Sequence, residues 1–265
     1  MKTGVFIPIR LGSRRLPGKI LKTVDGISLL FYLINRVMEV KNIANRRDIV
    51  ICTTNNREDD ILEQKAIEYG ISIFRGPEND LIERFYLANK VYKFDYILQI
   101  DGDDPLIPPE YCDIIIREMI NNDLDVVTTI GLPFGLNVKA FSATALGKVK
   151  NMYLSKNNDT GFGLYFVNNH LLNIKKIPPM VSNHVNDIVR LTLDYEEDFR
   201  LIEKLIYEVA RHNNYSINFI LKKIGENPDW IHINKFRQEE NNNRSSDMIN
   251  LKYQNNEGVE FLIDF

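Results

Sequence analysis

From its first residues the chain alternates between short apolar runs and segments whose apolar residues recur at helical spacing. Few folds admit that pattern. Lys2 to Ile9 carries Val5, Phe6, Ile7 and Ile9 almost without interruption, the composition of a strand buried on both faces. Ser28 is placed to cap a helix reaching about Val40, with Leu29, Leu30, Leu33, Ile34 and Val37 on its apolar face. Further strands are predicted over Asp48–Thr53, Ile71–Phe74 and Tyr96–Ile100. Between them the spacing predicts helices over Glu58–Tyr69, ended by Gly70, and over Leu81–Tyr92. Strands separated by helices pair in parallel, and the helices then cover both faces of the sheet. The fold class expected is therefore α/β, a mostly parallel central sheet with ligand-binding loops at the carboxyl ends of its strands.

The loop after the first strand, Arg10-Leu-Gly-Ser-Arg-Arg-Leu-Pro-Gly-Lys19, holds Gly12, Pro17 and Gly18 among Arg10, Arg14, Arg15 and Lys19, with Lys22 just beyond. Glycine lets backbone N–H groups approach a ligand, and guanidinium forks match pairs of phosphate oxygens. A solvated basic surface is the plain alternative, but the position after strand one favours a polyphosphate. The loop has neither the Gly-x-Gly-x-x-Gly of a dinucleotide fold nor the Gly-x-x-x-x-Gly-Lys-Ser/Thr of a P-loop. After the fourth strand come Asp101, Asp103 and Asp104, set on a turn by Gly102 and Pro105. Three crowded carboxylates repel, and a cation relieves that. The alternative is an acidic turn, or a cap for the helix beginning near Pro109.

The bulk numbers narrow the partners. A net charge of −3 over 265 residues gives no reason to expect nucleic acid or a membrane surface. Cys52 and Cys112 read as buried free thiols, and the four histidines are too scattered for a zinc site. There is no apolar signal core and no run long enough to span a bilayer, so a cytoplasmic protein is expected. Residues 1–225 are read as one domain. Residues 226–265 form an extension, with a polar linker over Gln238–Asp247 and a terminal strand over Gly258–Phe265 that docks on this subunit or a neighbour.

The loop residues Arg10, Ser13, Arg15, Leu16, Pro17, Gly18 and Lys19 match the N-terminal signature of the sugar nucleotidyltransferases that use CTP. The chain most resembles CMP-Kdo synthetase and the spore-coat polysaccharide cytidylyltransferase-like proteins. It departs at Ile9 and Arg14, where the family usually has Ala and Thr. Cys52-Thr-Thr-Asn55 resembles the family's Ala-Thr-Thr-Asn-like run, and Phe74-Arg-Gly76 with Asp80 and Arg84 resembles a segment of the spore-coat group. Arg75 is then expected to hold base or phosphates, while Arg84 is either a ligand or a solvated helix side chain. Gly102-Asp103 matches the family's Gly-Asp turn, whose Asp binds Mg²⁺. Arg190-Leu-Thr-Leu-Asp194 matches the strand whose final Asp is the second metal ligand, and helices follow over Glu197–Arg211 and Ser216–Ile224.

The resemblance thus implies a Rossmann-like nucleotide-diphospho-sugar transferase fold that moves CMP from CTP to an acidic sugar or phosphorylated acceptor, releasing pyrophosphate. It assigns nucleotide binding to Pro8, Arg10, Leu11, Gly12, Ser13, Arg15, Lys19, Thr53, Thr54, Asn55, Arg75 and Asp101. Catalysis falls to Arg10, Arg15, Lys19 and Asp103, Mg²⁺ to Asp103 and Asp194, and the assembly is a homodimer. Asp101 and Asp104 are candidates for metal-bound water. Gly135–Phe141 resembles a family run in which Asn137 and Lys139 replace acids, a hint of an acidic acceptor. Asn157–Gly163 is expected to be a mobile loop near the acceptor pocket. The sequence places no histidine or lysine near the metal as a base. Two other readings stay open: a glycosyltransferase using Asp101-Gly-Asp103 as its metal motif, and a non-catalytic nucleotide-binding homologue.

Overall fold

β1 (Thr3–Pro8) shows why this sheet needs helices on both sides: Val5 and Ile7 enter one hydrophobic core, while Phe6 between them enters another. The structure is a computed structural model and describes residues 1–159, 161–180, 189–238, 240, 251–255 and 258–263. A 3₁₀ turn at Lys19–Leu21 and a small hairpin of β2 (Thr23–Val24) and β3 (Ile27–Ser28) lead into α1 (Leu29–Met38). The Ser28 hydroxyl accepts from the Phe31 N–H, so the predicted cap is present. There follow β4 (Ile49–Thr54), α2 (Asp60–Tyr69), β5 (Ser72–Gly76), α3 (Leu81–Tyr92), β6 (Tyr96–Gln99) and α4 (Pro109–Asn122). The second half holds β7 (Val126–Thr129), β8 (Lys139–Ser142), α5 (Ala143–Met152), α6 (Leu164–Val167), β9 (Ile174–Ile177), α7 (Glu196–His212) and α8 (Ile217–Glu226). A hairpin of β10 (Lys252–Gln254) and β11 (Glu260–Leu262) lies near the end.

The central sheet has seven strands in the order β5-β4-β1-β6-β8-β7-β9. All run parallel except β8, which is antiparallel to both β6 and β7. The mostly parallel α/β sheet is as the alternation predicts. β8 reverses because only residues 130–138 join it to β7, too few for a crossover helix. One face is packed by α1, α2, α4, α7 and α8, through residues such as Leu33, Leu62, Ile115, Leu205 and Ile220. The other is packed by α3, α5, α6 and the β10–β11 hairpin, through Phe85, Leu146, Phe166 and Tyr253. Strand order reverses between β1, which leads to β4 and β5 on one side, and β6 on the other. The crevice at such a reversal is where an open α/β sheet binds ligands.

Two expectations change. Residues 190–194 do not join the sheet as a strand among the described residues; Arg190 makes a single parallel bridge to Phe134, and Leu193 N–H donates to the Asp103 carbonyl at 2.8 Å. Gly135 permits this close approach. Its φ is +96°, and a Cβ there would lie 2.5 Å from the Thr192 nitrogen. The Asn157–Gly163 loop is anchored rather than loose in its described part, since Asn158 is fully buried. The chain beyond α8 is tied back near its start: Asn234 is buried, and its amide donates to the Arg190 carbonyl at 2.9 Å and to Asp198 at 2.8 Å. The β10–β11 hairpin docks on this subunit through a Tyr153–Tyr253 bridge, whereas most of the polar linker lies outside the described residues.

Asn158 generates a prediction. Its carbonyl oxygen accepts from Leu81 N–H at 2.8 Å and Ile82 N–H at 3.3 Å, at the start of α3, and its amide donates to Asp80 at 2.9 Å and the Ser155 carbonyl at 3.0 Å. Asn158→Ala leaves these buried groups unmatched and is expected to destabilise the protein by about 2–3 kcal/mol. Thermal unfolding checks this. An unchanged Tm would mean that the loop is held elsewhere.

Candidate active site

The loop after β1 is shaped by its own backbone and by one buried acid. Gly18 N–H donates to the Leu11 carbonyl at 3.1 Å, closing the loop, and Lys19 N–H donates to the Leu16 carbonyl at 3.2 Å. Leu16 and Ile20 are buried, which fixes the returning chain on either side of Lys19. Leu11 N–H donates to Asp59 at 2.8 Å. The other oxygen of fully buried Asp59 accepts from the N–H and hydroxyl of Thr54. Asp59 therefore ties the loops after β1 and β4 together. Sequence reasoning missed it; its signal was an acid just ahead of a helix that follows a strand.

The acidic turn after β6 packs directly on the end of β1. A Cβ at Gly102 would lie 2.5 Å from the Pro8 carbonyl oxygen and 2.5 Å from the Ile9 side chain, so only glycine fits. This contact brings Asp103 to the basic loop. Lys19 Nζ lies 2.7 Å from Asp103 Oδ2 and 3.0 Å from Asp194 Oδ1, bridging the two carboxylates. Arg15 reaches the same Asp194 oxygen at 2.6 Å. The other Asp194 oxygen accepts from Arg190 at 2.9 Å, and Arg190, 1% exposed, is also paired with Asp198 at 3.0 Å. Asp198 in turn accepts from the backbone N–H groups of Asp194 and Tyr195, both at 2.9 Å. The second carboxylate is thus positioned by an Arg190–Asp198 pair rather than by a sheet ladder.

Other expected site residues fall around this junction. Arg10 pairs with Asp159 at 2.5 Å, on the loop before α6. Asp101 accepts from Gln99 at 2.5 Å and from Lys139 Nζ at 3.2 Å; Lys139 begins β8, whose start lies at the edge where the parallel strands end. Lys19 thus stands beside Asp103 and Asp194, and Lys139 beside Asp101. Thr53 and Thr54 are buried at the end of β4, with the Thr53 hydroxyl unpaired, while Asn55 is exposed. Ser13 accepts from Leu16 N–H at 3.4 Å, and Gly12 is exposed on the loop. Arg75 is spent on structure: it donates to the Thr54 carbonyl at 2.8 Å and the Asn56 carbonyl at 2.7 Å, and pairs with Asp60 and Glu63. Arg84 is not solvated. It is 3% exposed and donates to the carbonyls of Pro77 and Glu78. Asp104 does not cap α4, whose N-cap is Pro108; it is buried, with one carboxylate oxygen unpaired. Asn137 holds the turn before β8 through Leu132.

The two bridged carboxylates differ in their electrostatics. Burial pushes the Asp194 carboxyl up, but Lys19, Arg15 and Arg190 outweigh it and hold it below the usual carboxylate range. Burial also pushes Asp103 up, and there the opposing pull of Lys19 is offset by Asp194 and Asp101, so it stays above that range. Burial disfavours the Lys19 ammonium, yet Asp103 and Asp194 raise its pKa above the ordinary lysine value. Lys19 is a fixed cation at neutral pH. The donor set suits a hard divalent ion: oxygens of two carboxylates already converge on one cationic nitrogen. No group of three or more metal-ligating side chains occurs among the described residues, so phosphate or water would have to complete the shell.

With this geometry in place, a family model described as "Cytidylyltransferase" matches residues 5–243. The chain belongs to the cytidylyltransferase family. Similar proteins include an uncharacterized protein of Methanocaldococcus jannaschii, 31% identical over 88% of this chain and 95% of that one. The spore coat polysaccharide biosynthesis protein SpsF of Bacillus subtilis is 27% identical over 84% and 94% respectively. A cytidylyltransferase structure from Leptospira borgpetersenii superposes with a TM-score of 0.77 at 27% identity, covering 87% of this chain and 97% of that one. CMP:2-keto-3-deoxy-manno-octonic acid synthetase, solved with CTP, shares the fold with a TM-score of 0.61 at 16% identity, over 78% and 99%. The Rossmann-like nucleotidyltransferase fold expected from the loop motif is the one observed.

For this cytidylyltransferase the electrostatics give a stability prediction of opposite sense at its two carboxylates. Asp194→Asn removes a partner from buried Arg190 and is expected to cost about 2–3 kcal/mol at neutral pH. Asp103, with 29% of its side chain exposed and its charge disfavoured, should tolerate Asn with little change or a slight gain. The pH sense follows. The Asp194 contribution is present above the unfolded carboxylate value, ~3.9, and is lost as pH falls through its lower folded value. Thermal unfolding of both variants from neutral pH to about pH 3 checks this, and equal Tm losses at neutral pH would refute it.

Proposed function

We propose that this cytidylyltransferase transfers CMP from CTP to an anionic small-molecule acceptor, an acidic sugar or a phosphorylated metabolite, and releases pyrophosphate with the help of Mg²⁺. The observation that carries the reading is the Lys19 bridge between Asp103 and Asp194 at the strand-order reversal. In this reading Arg10, Arg15 and Lys19 neutralise the triphosphate, Thr53, Thr54 and Asn55 border the nucleoside, and Asp103 and Asp194 hold Mg²⁺. A bound Mg²⁺ supplies charge neutralisation and orientation of phosphate oxygens. The acceptor oxygen attacks the α-phosphorus in line, a new P–O bond forms, and the bond to the β-phosphate oxygen breaks.

The acceptor class is supported by Lys139, whose side chain is 17% exposed and is matched by Asp101 alone among the ion pairs of the described residues. A phosphate or phosphonate arrives already ionised and needs no base. An acidic sugar attacking through a hydroxyl must lose a proton, and Lys19, held as an ammonium, is unsuited to take it. The glycosyltransferase alternative is less well supported, because Asp101 is turned to Gln99 and Lys139 instead of sharing the Lys19 position with Asp103. A homodimer and a cytoplasmic setting belong to the same reading, the first on family resemblance alone. No helix among the described residues is long and apolar enough to cross a membrane.

The test is pyrophosphate release from each of four nucleoside triphosphates against acidic sugars, sugar phosphates and other phosphorylated metabolites. CTP is expected to exceed the other nucleotides in kcat/KM by roughly tenfold or more. Lys139→Glu should raise the acceptor KM by a similar factor and leave the CTP KM nearly unchanged. Turnover with no nucleotide, or without preference for CTP, would remove the assignment.

A further inference from the structure

We propose that Lys19 is a built-in stand-in for the metal: without nucleotide its ammonium occupies the place between Asp103 and Asp194 that a divalent cation would take. The chain therefore admits the metal only together with a nucleotide's phosphates. This rests on the reading of Asp103 and Asp194 as the metal carboxylates.

The geometry supports competition. Lys19 Nζ is within 3.0 Å of an oxygen from each carboxylate, and a cation sharing those oxygens would sit almost on top of it. Two positive charges at that separation repel strongly, so one must leave. Of the three cations around Asp194, only Lys19 touches both acids. Arg190 is pinned by Asp198, and Arg15 contacts Asp194 alone. Lys19 is also free to move without disturbing the fold. Its backbone is fixed by the Leu16 carbonyl and its neighbour Ile20 is buried, while its four-carbon stem can swing from carboxylate to phosphate. Phosphate that draws Lys19 away vacates Asp103 Oδ2 and leaves Asp194 Oδ1 shared with Arg15 alone, opening both carboxylates to the metal. Nucleotide and metal then bind with positive coupling, through one side chain with two alternative partners.

The experiment measures Mn²⁺ binding to the nucleotide-free protein by calorimetry and by the EPR signal of free Mn²⁺. Wild type is expected to bind weakly. Lys19→Met should bind about one ion per chain, at least roughly tenfold more tightly, and Lys19→Met/Asp103→Asn should lose that gain. Lys19→Arg, which keeps a cation, should remain as weak as wild type. Wild type binding Mn²⁺ as tightly as Lys19→Met would overturn the proposal. If Lys19→Met does not fold, Lys19→Gln takes its place, and micromolar Mn²⁺ binding by nucleotide-free wild type refutes the idea by itself. Mn²⁺ bound by neither protein removes the proposal along with the metal assignment. Turnover with a nucleotide other than CTP removes only the cytidine reading, because no nucleotide enters this assay.

Discussion

Where the loop after β1 crosses the turn after β6, Arg15, Lys19 and Arg190 meet Asp103, Asp194 and Asp198, and their charges balance. Neither set tolerates burial alone. Three cations packed together would repel, and two converging carboxylates would shift toward protonation. Held against each other, both sets keep their charges at buried and half-buried positions. A charge pair at ~4 Å is worth ~1 kcal/mol in bulk water but ~4 kcal/mol at an effective dielectric of 20. The site is thus kept charged by its own internal salt.

That balance depends on backbone contacts that leave no room for side chains. Gly102 lets the acidic turn lie on the Pro8 carbonyl, and Gly135 lets the turn before β8 meet Thr192. The second contact matters because Asp194 has no strand of the central sheet beneath it among the described residues. Its position comes from the Phe134–Arg190 bridge, the Leu193 hydrogen bond to Asp103, and the buried Arg190–Asp198 pair. Asn234, beyond α8, adds hydrogen bonds to both Arg190 and Asp198. The start of the C-terminal extension thereby reaches the Asp194 segment through the buried Asn234 and Asp198 side chains.

Much of this was legible in the chain itself, for identifiable reasons. Strand–helix alternation is a local signal, and it located β1, β4, β5 and β6 and the parallel order that follows. The basic loop and the Gly102-Asp103 turn stood out because clustered charge beside glycine has few structural uses. Asp59, Arg84 and Arg75 were not legible in the same way, since each does its work by hydrogen-bonding backbone carbonyls or amides brought near by folding. Asp194 was found by its motif, but its support by Arg190 is a tertiary fact. The anchoring role of Asn158 was hidden for the same reason: a polar, glycine-rich stretch reads as solvated until the start of α3 is seen to need its side chain.

The two carboxylates show how structure and chemistry divide the work. Asp194 is 6% exposed and held by three cations, so its charge is already stabilised in the empty protein. Asp103 is more open, has Lys19 as its ion-pair partner, and feels two neighbouring acids. A cation bound there, as proposed, would relieve Asp103 more than Asp194. Asp194, by contrast, would keep Arg15 and Arg190 if Lys19 turned to a phosphate, so its position does not depend on Lys19. In the proposed reading, Asp103 is the carboxylate that a cation would relieve, and Asp194 the one whose place Arg190 already fixes.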